Sequence, residues 1–347
     1  MATPWDKYLT EVVGKVWPGS LPAGTEDHSA AAMKTLFAAG TDCLKITIEA
    51  RRERGVAIVA SYRMNAEDFY QGELDLFDFG RQHKEWRIPG ANCLDPAHPE
   101  VFAHWLEIFT EVANDFDIDG IEFDFRRWTH MISDPLKNHP ILTKMVRQTQ
   151  KMLQETARRK RRDRLLLGVR VGPSLDDPVG MEYPGGQVKN DISCRALGLD
   201  VKTWIEEELV DYVCPSLFWP RLPGIPKTSE LVALATNKNV GVYPTVFPLP
   251  AWAEDAKNPV TDSPQTRRRH RDEIVQAALR CYEDGADGIS TFNWSTYFPP
   301  GTVKQSPAKY SENYGRSNAG YQKVLMALHP KLGSKEALRQ EASSTRL

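Results

Sequence analysis

The chain has 347 residues, of which 41% are hydrophobic, and its 44 basic and 46 acidic residues give a formal net charge of −2. This length is enough for one large α/β core. The nearly balanced charge excludes a global electrostatic attraction to nucleic acid or to an anionic membrane surface. No apolar stretch approaches the roughly 18 residues that a membrane span needs. We therefore expect neither nucleic acid nor a membrane as a partner.

The cysteines and the amino terminus limit the chemistry further. The five cysteines are widely spaced, odd in number and without a C-x-x-C pair, which argues against a disulfide framework and a zinc site. No H-x-x-x-H spacing and no G-x-G-x-x-G loop is present, so we expect no metal and no cofactor. The opening MATPWDKYLTEVVG lacks the basic-then-apolar pattern of a signal peptide. This predicts a cytoplasmic protein, or a secreted or periplasmic one if a signal has been removed.

Predicted helices and strands alternate along the chain. Helices are predicted over 29–40 and 42–55 and a strand over 56–63, before the irregular stretch 64–96. Such alternation predicts a parallel sheet with right-handed crossovers. Five helix-then-strand units follow, namely helix 98–116 with strand 117–128, helix 139–162 with strand 165–171, helix 199–209 with strand 210–219, helix 229–238 with strand 240–247, and helix 266–285 with strand 286–294.

The number of strands indicates how the sheet is arranged. Short strands near TEVVGKVW and ANCLD raise the count to about eight, which favours a single closed (β/α)8 TIM barrel over an open doubly wound sheet. We predict one α/β barrel domain over 1–330, with no boundary inside it. Residues 331–347 are predicted to be a C-terminal tail, in which a frayed helix precedes disordered residues.

The segment DIDGIEFDFRRW, residues 117–128, has an unusual pattern for a buried strand. Side chains alternate between the two faces of a strand. Glu122, Asp124 and Arg126 therefore share one face, while the residues between them are Ile121, Phe123 and Phe125 on the other. A face that is charged at every position suits a strand whose end opens into a polar cavity.

Candidate functional residues follow from the strand ends, because chemistry in a parallel barrel gathers at the carboxyl ends of its strands. Paired carboxylates can act as acid, base or nucleophile at the anomeric carbon of a sugar, and aromatic rings stack on the apolar faces of sugars. We predict Asp124 and Glu122 as catalytic residues. The predicted substrate-binding residues are Arg63, Asn65, Arg126, His130, Arg170, Trp219, Tyr243, Asn293 and Trp294.

Several motifs over residues 40–300 together resemble a bacterial group of glycoside-hydrolase-like TIM-barrel proteins. They are VASYRMN, NCLDPAHPEV, DIDGIEFDFRRW, GLDVKTWIEEELVDYVCPS and ADGISTFNW. The pattern D-x-x-E-x-D-x-R at 119–126 is similar to the D-x-x-D-x-D-x-E strand of family 18 chitinases, with Arg126 in place of the acid. The group also leads us to expect an Asp and a His soon after RMN, where this chain has Ala66, Glu67 and Asp68. The resemblance implies a TIM barrel that acts on carbohydrate.

Residues and resemblance together predict a glycoside hydrolase that cleaves an oligo- or polysaccharide. Asp124 would stabilise or attack the anomeric centre, and Glu122, or an acid from the loops at 64–70 or 174–191, would protonate the leaving oxygen. Arginine forks suit carboxylate and sulfate groups, so we expect a uronic or sulfated substrate. Two alternatives remain open at this stage, a carbohydrate-binding barrel without catalysis and a polysaccharide lyase in which an arginine neutralises a uronate carboxylate. The sugar, the linkage and the oligomeric state are not predicted.

Overall fold

The computed structural model describes residues 35–64, 78–91, 93–126, 130–182, 189–217, 226–246, 264–291 and 319–344. The described helices are, in chain order, α1 (Cys43–Arg52), α2 (Asp78–Gln82), α3 (Pro99–Asp115), α4 (Pro135–Arg159), α5 (Val201–Glu206), α6 (Thr228–Ala235), α7 (Pro264–Glu283), α8 (Ala319–Leu328) and α9 (Lys335–Ser344). Short 3-10 helices run over Lys84–Trp86 and His329–Lys331. The described strands are β1 (Val59–Arg63), β2 (Gly120–Asp124), β3 (Leu166–Val171), β4 (Gly180–Glu182), β5 (Lys189–Asp191), β6 (Tyr212–Pro215), β7 (Gly241–Val242), β8 (Thr245–Val246) and β9 (Ser290–Thr291).

The chain divides into two compact units. The first comprises Met1–Arg170 and Cys194–Asp211, and the second comprises Val171–Ser193 and Tyr212–Leu347. Both contain helices and parallel strand pairs, so the α/β class predicted from the sequence is confirmed. Among the described helices, none is both long and apolar enough to cross a lipid bilayer.

The first unit is built on three parallel strands in the order β1, β2, β3. Arg63 on β1 lies opposite Asp124 on β2, which lies opposite Arg170 on β3. The strands approach closely at Gly120, where an added Cβ would stand 2.3 Å from the carbonyl oxygen of Leu166. Glycine is therefore required at this point of β2. Because all three strands run in the same direction, their carboxyl ends lie at one edge.

The apolar face of β2 packs under the helices of the first unit. Phe123 and Phe125 are 0% and 1% exposed, and their rings contact Phe109 of α3 and Trp204 of α5 at centroid distances of 4.8 and 5.8 Å. The indole Nε1 of Trp204 in turn donates a 2.9 Å hydrogen bond to the hydroxyl of Thr143 on α4. The strand predicted over 117–128 is observed as Gly120–Asp124, and the side of it that carries Phe123, continued by Phe125, is a packed aromatic core, as the alternation of residue types predicted.

Two aspartates of the first unit each form hydrogen bonds with both backbone polar groups of one residue on a neighbouring segment. The Asp119 N–H donates to the carbonyl of Ile58, and the Asp119 carboxylate accepts from the Ile58 N–H, both at 2.7 Å. Asp211 makes the same two contacts, also at 2.7 Å, with Leu167. In each case the aspartate provides a hydrogen-bond partner for both the N–H and the C=O of one residue near the start of a strand. We call this arrangement the aspartate clamp.

The second unit repeats the clamp and contains shorter strands. Asp287 donates to the Val242 carbonyl at 3.0 Å and accepts from the Val242 N–H at 2.8 Å. β6 pairs in parallel with β7, and β8 with β9, while β4 and β5 form an antiparallel pair. The single strand predicted over 240–247 is split into β7 and β8 at Tyr243 and Pro244. Proline has no N–H to donate to a neighbouring strand, which explains the break.

The last helices of the second unit form a core of their own. Leu338 of α9 is fully buried in one cluster with Ile274 of α7 and Leu328 of α8. Residues Lys335–Ser344 are therefore a packed helix, where the sequence had predicted a frayed one. The boundary of a C-terminal tail at 331 stays a prediction.

Other predicted boundaries shift or remain unconfirmed. The helix predicted from 139 begins at Pro135, with Pro140 inside its second turn. Near ANCLD, the described residues show one isolated bridge between Arg87 and Leu94 instead of a strand, and the strand predicted at TEVVGKVW lies outside the described residues. No pairing among the described strands closes a ring. The TIM barrel and the single domain over 1–330 therefore stay predictions.

Candidate functional site

The candidate site lies at the carboxyl edge of β1, β2 and β3, where three charged residues stand side by side. Asp124 occupies the middle strand, with Arg63 opposite it on one side and Arg170 on the other. Asp124 and Arg170 are each only 7% exposed, and Arg170 Nε lies 3.4 Å from Asp124 Oδ1. Arg63 is exposed. A buried carboxylate is thus compensated by a buried guanidinium, as desolvation requires.

Backbone hydrogen bonds fix the position of Asp124. Its Oδ1 accepts a 2.9 Å hydrogen bond from the Arg126 N–H, which closes a local turn as β2 ends. The next residue, Phe125, donates its N–H to the Arg170 carbonyl at 2.9 Å, and the Asp124 carbonyl accepts from the Met64 N–H at 3.1 Å. The strand ends are therefore joined by main-chain contacts that hold the carboxylate rigidly, which is a requirement of a preorganised site.

Glu122 has different surroundings from Asp124, although both lie on the same face of β2. It is half-buried, and its Oε1 accepts a 2.8 Å hydrogen bond from the Ser61 hydroxyl. Its register partners are Ser61 on β1 and Gly168 on β3, neither of which carries a charge. Asp124, in contrast, has an arginine on each side. The two carboxylates therefore lie in distinct electrostatic environments two residues apart.

Arg126 follows β2 and is 1% exposed. The sequence placed it on the same face as Glu122 and Asp124, at the position where the chitinase-like pattern has an acid. Its guanidinium presents almost no surface to solvent. Arg126 therefore adds a fixed positive charge within the first unit, and its predicted contact with substrate stays a prediction.

His130 lies on the segment that connects β2 to α4. It is at the surface, yet the surrounding protein desolvates the ring and lowers the pKa of His130. A nearby residue, Asp95, is 3% exposed and accepts hydrogen bonds from the Ala97 and Ser133 N–H groups at 3.0 and 3.3 Å. Asp95 thereby ties the start of α3 to the segment that carries His130. Sequence reasoning assigned Asp95 no role, although its position in NCLDPAHPEV, two residues before a backbone N–H it binds, is typical of an Asx turn.

Tyr243 belongs to the second unit, and its ring turns toward the starts of the strands. It packs edge-to-face on Tyr212 at 5.9 Å and covers Gly241 and Gly288, where an added Cβ would lie 2.6 and 2.9 Å from the ring. Burial, followed by the charge of Asp287, raises the pKa of the Tyr243 hydroxyl. These contacts account for both glycines, and the predicted binding of substrate by Tyr243 is not tested by them.

Four other predicted binding residues, Asn65, Trp219, Asn293 and Trp294, lie outside the described residues. Within the described part of the chain, no group of three or more His, Cys, Asp and Glu side chains is arranged to hold a metal ion.

Asp119, the first acid of the chitinase-like pattern, lies at the opposite edge of the sheet from Asp124. Besides its clamp to Ile58, its carboxylate accepts from Arg51 at 2.5 Å and from Arg162. Desolvation opposes ionisation, but the hydrogen bonds from Ile58, Arg162 and Arg51 outweigh it and lower the pKa of Asp119. Asp119 therefore stabilises the amino-terminal ends of β1 and β2. Of the three acids in the pattern at 119–126, Asp119 has a structural role, whereas Glu122 and Asp124 belong to the candidate site.

Comparison with known proteins shows partial similarity to glycoside hydrolases. No protein-family profile matches the chain. Over 158 aligned residues it is 24% identical to glycosyl hydrolase DigH of Escherichia coli strain K12 and to that of strain CFT073, which covers 40% of this chain and 35% of each relative. The match thus spans about a third of the relatives' length.

Two solved structures have distant likeness to the chain. A class V chitinase from Pseudomonas fluorescens Pf-5 has a TM-score of 0.43 at 14% identity and covers 81% of this chain and 83% of its own. Alpha-L-fucosidase isoenzyme 2 from Paenibacillus thiaminolyticus has a TM-score of 0.37 at 14% identity and covers 82% of this chain and 39% of its own.

Proposed function

We propose that this protein is a glycoside hydrolase whose reaction centre includes Asp124 and Glu122. The observation that carries the proposal is the arrangement of two carboxylates on one face of β2, one with an arginine as register partner on each side and the other with Ser61 and Gly168 as register partners. Pairs of acids whose surroundings differ are suited to divide acid and base or nucleophile roles. The partial sequence similarity to glycosyl hydrolase DigH supports the same reaction class.

Asp124 is the residue proposed to act as an anion. It accepts a hydrogen bond from the Arg126 N–H and lies beside the positively charged Arg170 guanidinium. An oxocarbenium-like transition state carries positive charge at the anomeric carbon. A rigid carboxylate next to that carbon stabilises the charge or forms a covalent bond to the carbon.

Glu122 is the residue proposed to donate the proton to the leaving oxygen. Its register partners, Ser61 and Gly168, carry no charge, whereas Asp124 lies opposite an arginine on each side. Ser61 then orients the carboxyl group through its 2.8 Å hydrogen bond. An acid on the loops at 64–70 or 174–191 is the remaining candidate for this role.

An anionic sugar is the substrate we propose. Arg63, Arg126 and Arg170 lie at or next to the strand ends that carry Glu122 and Asp124. Arg63 is exposed at the carboxyl end of β1. A guanidinium at that place suits bidentate binding of a uronate carboxylate or a sulfate.

A product assay on neutral, uronic and sulfated glycans tests the proposal. We expect new reducing ends from an anionic glycan, and Arg63→Gln is expected to raise KM for that glycan while changing kcat little. Faster cleavage of a neutral glycan would remove the argument for an anionic substrate. Products with a new ultraviolet-absorbing double bond would instead identify a polysaccharide lyase.

A second candidate function is binding of carbohydrate without catalysis. The observation in its favour is Arg126, a buried cation at the position where the chitinase-like pattern has an acid. This candidate predicts saturable glycan binding with no products, and binding that survives in an Asp124→Asn variant. Calorimetric titration with the same glycan panel separates it from the hydrolase.

A further inference from the structure

Four aromatic rings join the segment 78–86 to α3 in the first unit. His104 of α3 stacks on Phe79, with centroids 3.9 Å apart and planes 10° apart. His83 stacks on Trp86 at 3.7 Å and 8°. Phe79 links the two stacks, because it lies 5.3 Å from His83 and 5.5 Å from Trp86. We call these four side chains the ring cluster, and all four are half-buried.

The segment that carries three of these rings is short. α2 has five residues and the following 3-10 helix has three, and helices of this length are not stable alone. Arg87 fastens the segment to itself through a 3.0 Å hydrogen bond from Nη2 to the Gly80 carbonyl. The parallel stack of Phe79 and His104 joins the segment to α3 directly, and a backbone hydrogen bond from Asp95 to Trp86 joins it to the residues before α3.

The two histidines of the ring cluster differ in their electrostatic surroundings. His83 Nδ1 lies 3.3 Å from the Glu85 carboxylate, so a protonated His83 has a counter-charge. Among the described side chains, no carboxylate pairs with His104, and burial lowers the pKa of its imidazole. The other charged or titratable side chains described near these elements are Lys84 in the segment and Arg87 next to it, His98, Glu100, Glu107, Glu111 and Asp115 at or on α3, and Lys144 of the adjoining α4, which lies over Phe102.

We infer that the docking of segment 78–86 on α3 is an acid-sensitive contact, released when His104 is protonated. A neutral imidazole stacks on Phe79 at little cost, whereas a charged one must be desolvated inside the same stack. The protonated ring gains some cation–π attraction from Phe79. Burial of the ring against Phe79 and α3 opposes the charged form and lowers the pKa of His104.

The direction of the pH effect follows from proton linkage. Because the pKa of docked His104 lies below its ordinary value of 6.5, docking is strongest above that value and weakens as the pH falls. The undocked state binds the proton more tightly. Between pH 7.5 and 5.5 one such histidine weakens docking by up to about tenfold.

Release of segment 78–86 would affect the candidate site through the hydrogen bonds of Asp95. The Asp95 N–H donates to the Trp86 carbonyl at 2.8 Å, while the Asp95 carboxylate holds the Ser133 N–H. Trp86, Asp95 and Ser133 thus connect the ring cluster to the segment between β2 and α4 that carries His130. Acidification is therefore expected to loosen that segment as well.

Hydrogen–deuterium exchange of residues 78–87, followed by mass spectrometry at pH 7.5 and 5.5, tests this inference. After correction for the intrinsic exchange rate, we expect wild-type protection to fall by up to about tenfold at pH 5.5. His104→Phe keeps an aromatic stack without a titrating group, so its protection should not change with pH. His139→Gln replaces a histidine on α4 that is outside the ring cluster, and it should behave as the wild type does.

Two results would overturn the inference, namely wild-type protection that is independent of pH, or an equal loss of protection in His104→Phe. If His104→Phe does not fold, His104→Tyr takes its place. A proton NMR titration of the wild type supplies a further measurement. The His104 Cε1–H signal and the Phe79 ring signals should move with one midpoint, and Phe79 signals that stay constant while His104 titrates would contradict the coupling.

Discussion

Arg170 Nε lies 3.4 Å from Asp124 Oδ1 across the β2–β3 pair, at a level where both residues are nearly removed from water. This ion pair places a fixed carboxylate at the carboxyl edge of the first unit. It also links stability to the candidate site, because removing either charge takes a buried counter-charge away from the other.

Loss of the Arg170 guanidinium is expected to destabilise the fold. Arg170→Met should lower the free energy of unfolding by about 3 kcal/mol, since it removes the guanidinium that lies beside the buried Asp124 carboxylate. Arg147→Met removes a pair with Glu207 in which both side chains are about half exposed, and it should cost less than about 1 kcal/mol. Urea unfolding of the two variants checks the difference, and equal losses would show that Asp124 is compensated by other groups.

The close approach of β2 to β3 makes Gly120 irreplaceable. In Gly120→Ala the new methyl group would meet the Leu166 carbonyl oxygen at 2.3 Å, so we expect a loss of at least about 2 kcal/mol of unfolding free energy. Gly333→Ala is the matched control, because an added Cβ there has no neighbour within 4 Å among the described residues. Thermal unfolding of both variants measures the effect. A Gly120→Ala protein as stable as the control would mean that the strands separate readily.

The aspartate clamp predicts a graded response at Asp211. Asp211→Ala leaves the Leu167 N–H without its side-chain acceptor, which should cost about 1–3 kcal/mol of unfolding free energy. In Asp211→Asn the amide oxygen can still accept from that N–H, so the loss should be smaller. Chemical unfolding of the pair tests the clamp, and identical losses would assign the effect to the Arg164 ion pair instead of the clamp.

The lowered pKa of Asp119 predicts how the free energy of unfolding changes as the pH falls. Its folded-state pKa lies below the ordinary value of 3.8, so the stabilisation from its ionised form is complete above that value and disappears as the pH falls through the folded-state pKa. Asp119→Asn should therefore be much less stable than the wild type at pH 7, and the difference should shrink toward pH 3. Asp163→Asn changes an exposed carboxylate and should follow the wild type throughout. A constant gap between wild type and Asp119→Asn would contradict this assignment.

The alternation of residues 117–128 was sufficient to predict which side chains of β2 share a face, because period-two geometry follows from the backbone alone. Arg63, Asp124 and Arg170 were assigned separately, from the ends of three predicted strands, and they are register partners in the sheet. The same pattern did not separate Asp119 from Asp124. Their roles differ because one precedes the strand and the other ends it, and that boundary depends on hydrogen bonds from Ile58 and Met64.

Tyr243 has contacts that the strand pattern does not predict. Its substrate binding stays a prediction. Its ring lies over Gly241 and Gly288, and the second glycine comes from a segment 45 positions further along the chain. Contacts between distant segments decide such orientations, and the strand pattern carries no information about them.

The central claim, that Asp124 is at a glycan-cleaving centre, is tested most directly by the rate at which reducing ends appear from a glycan that the wild type cleaves. Asp124→Asn keeps the size of the side chain, and we expect it to lower kcat at least about 100-fold while the protein stays folded by circular dichroism. The exposed-acid control Asp163→Asn should retain the wild-type rate. Undiminished cleavage by a folded Asp124→Asn protein would contradict the account and move the search for the reaction centre away from β2.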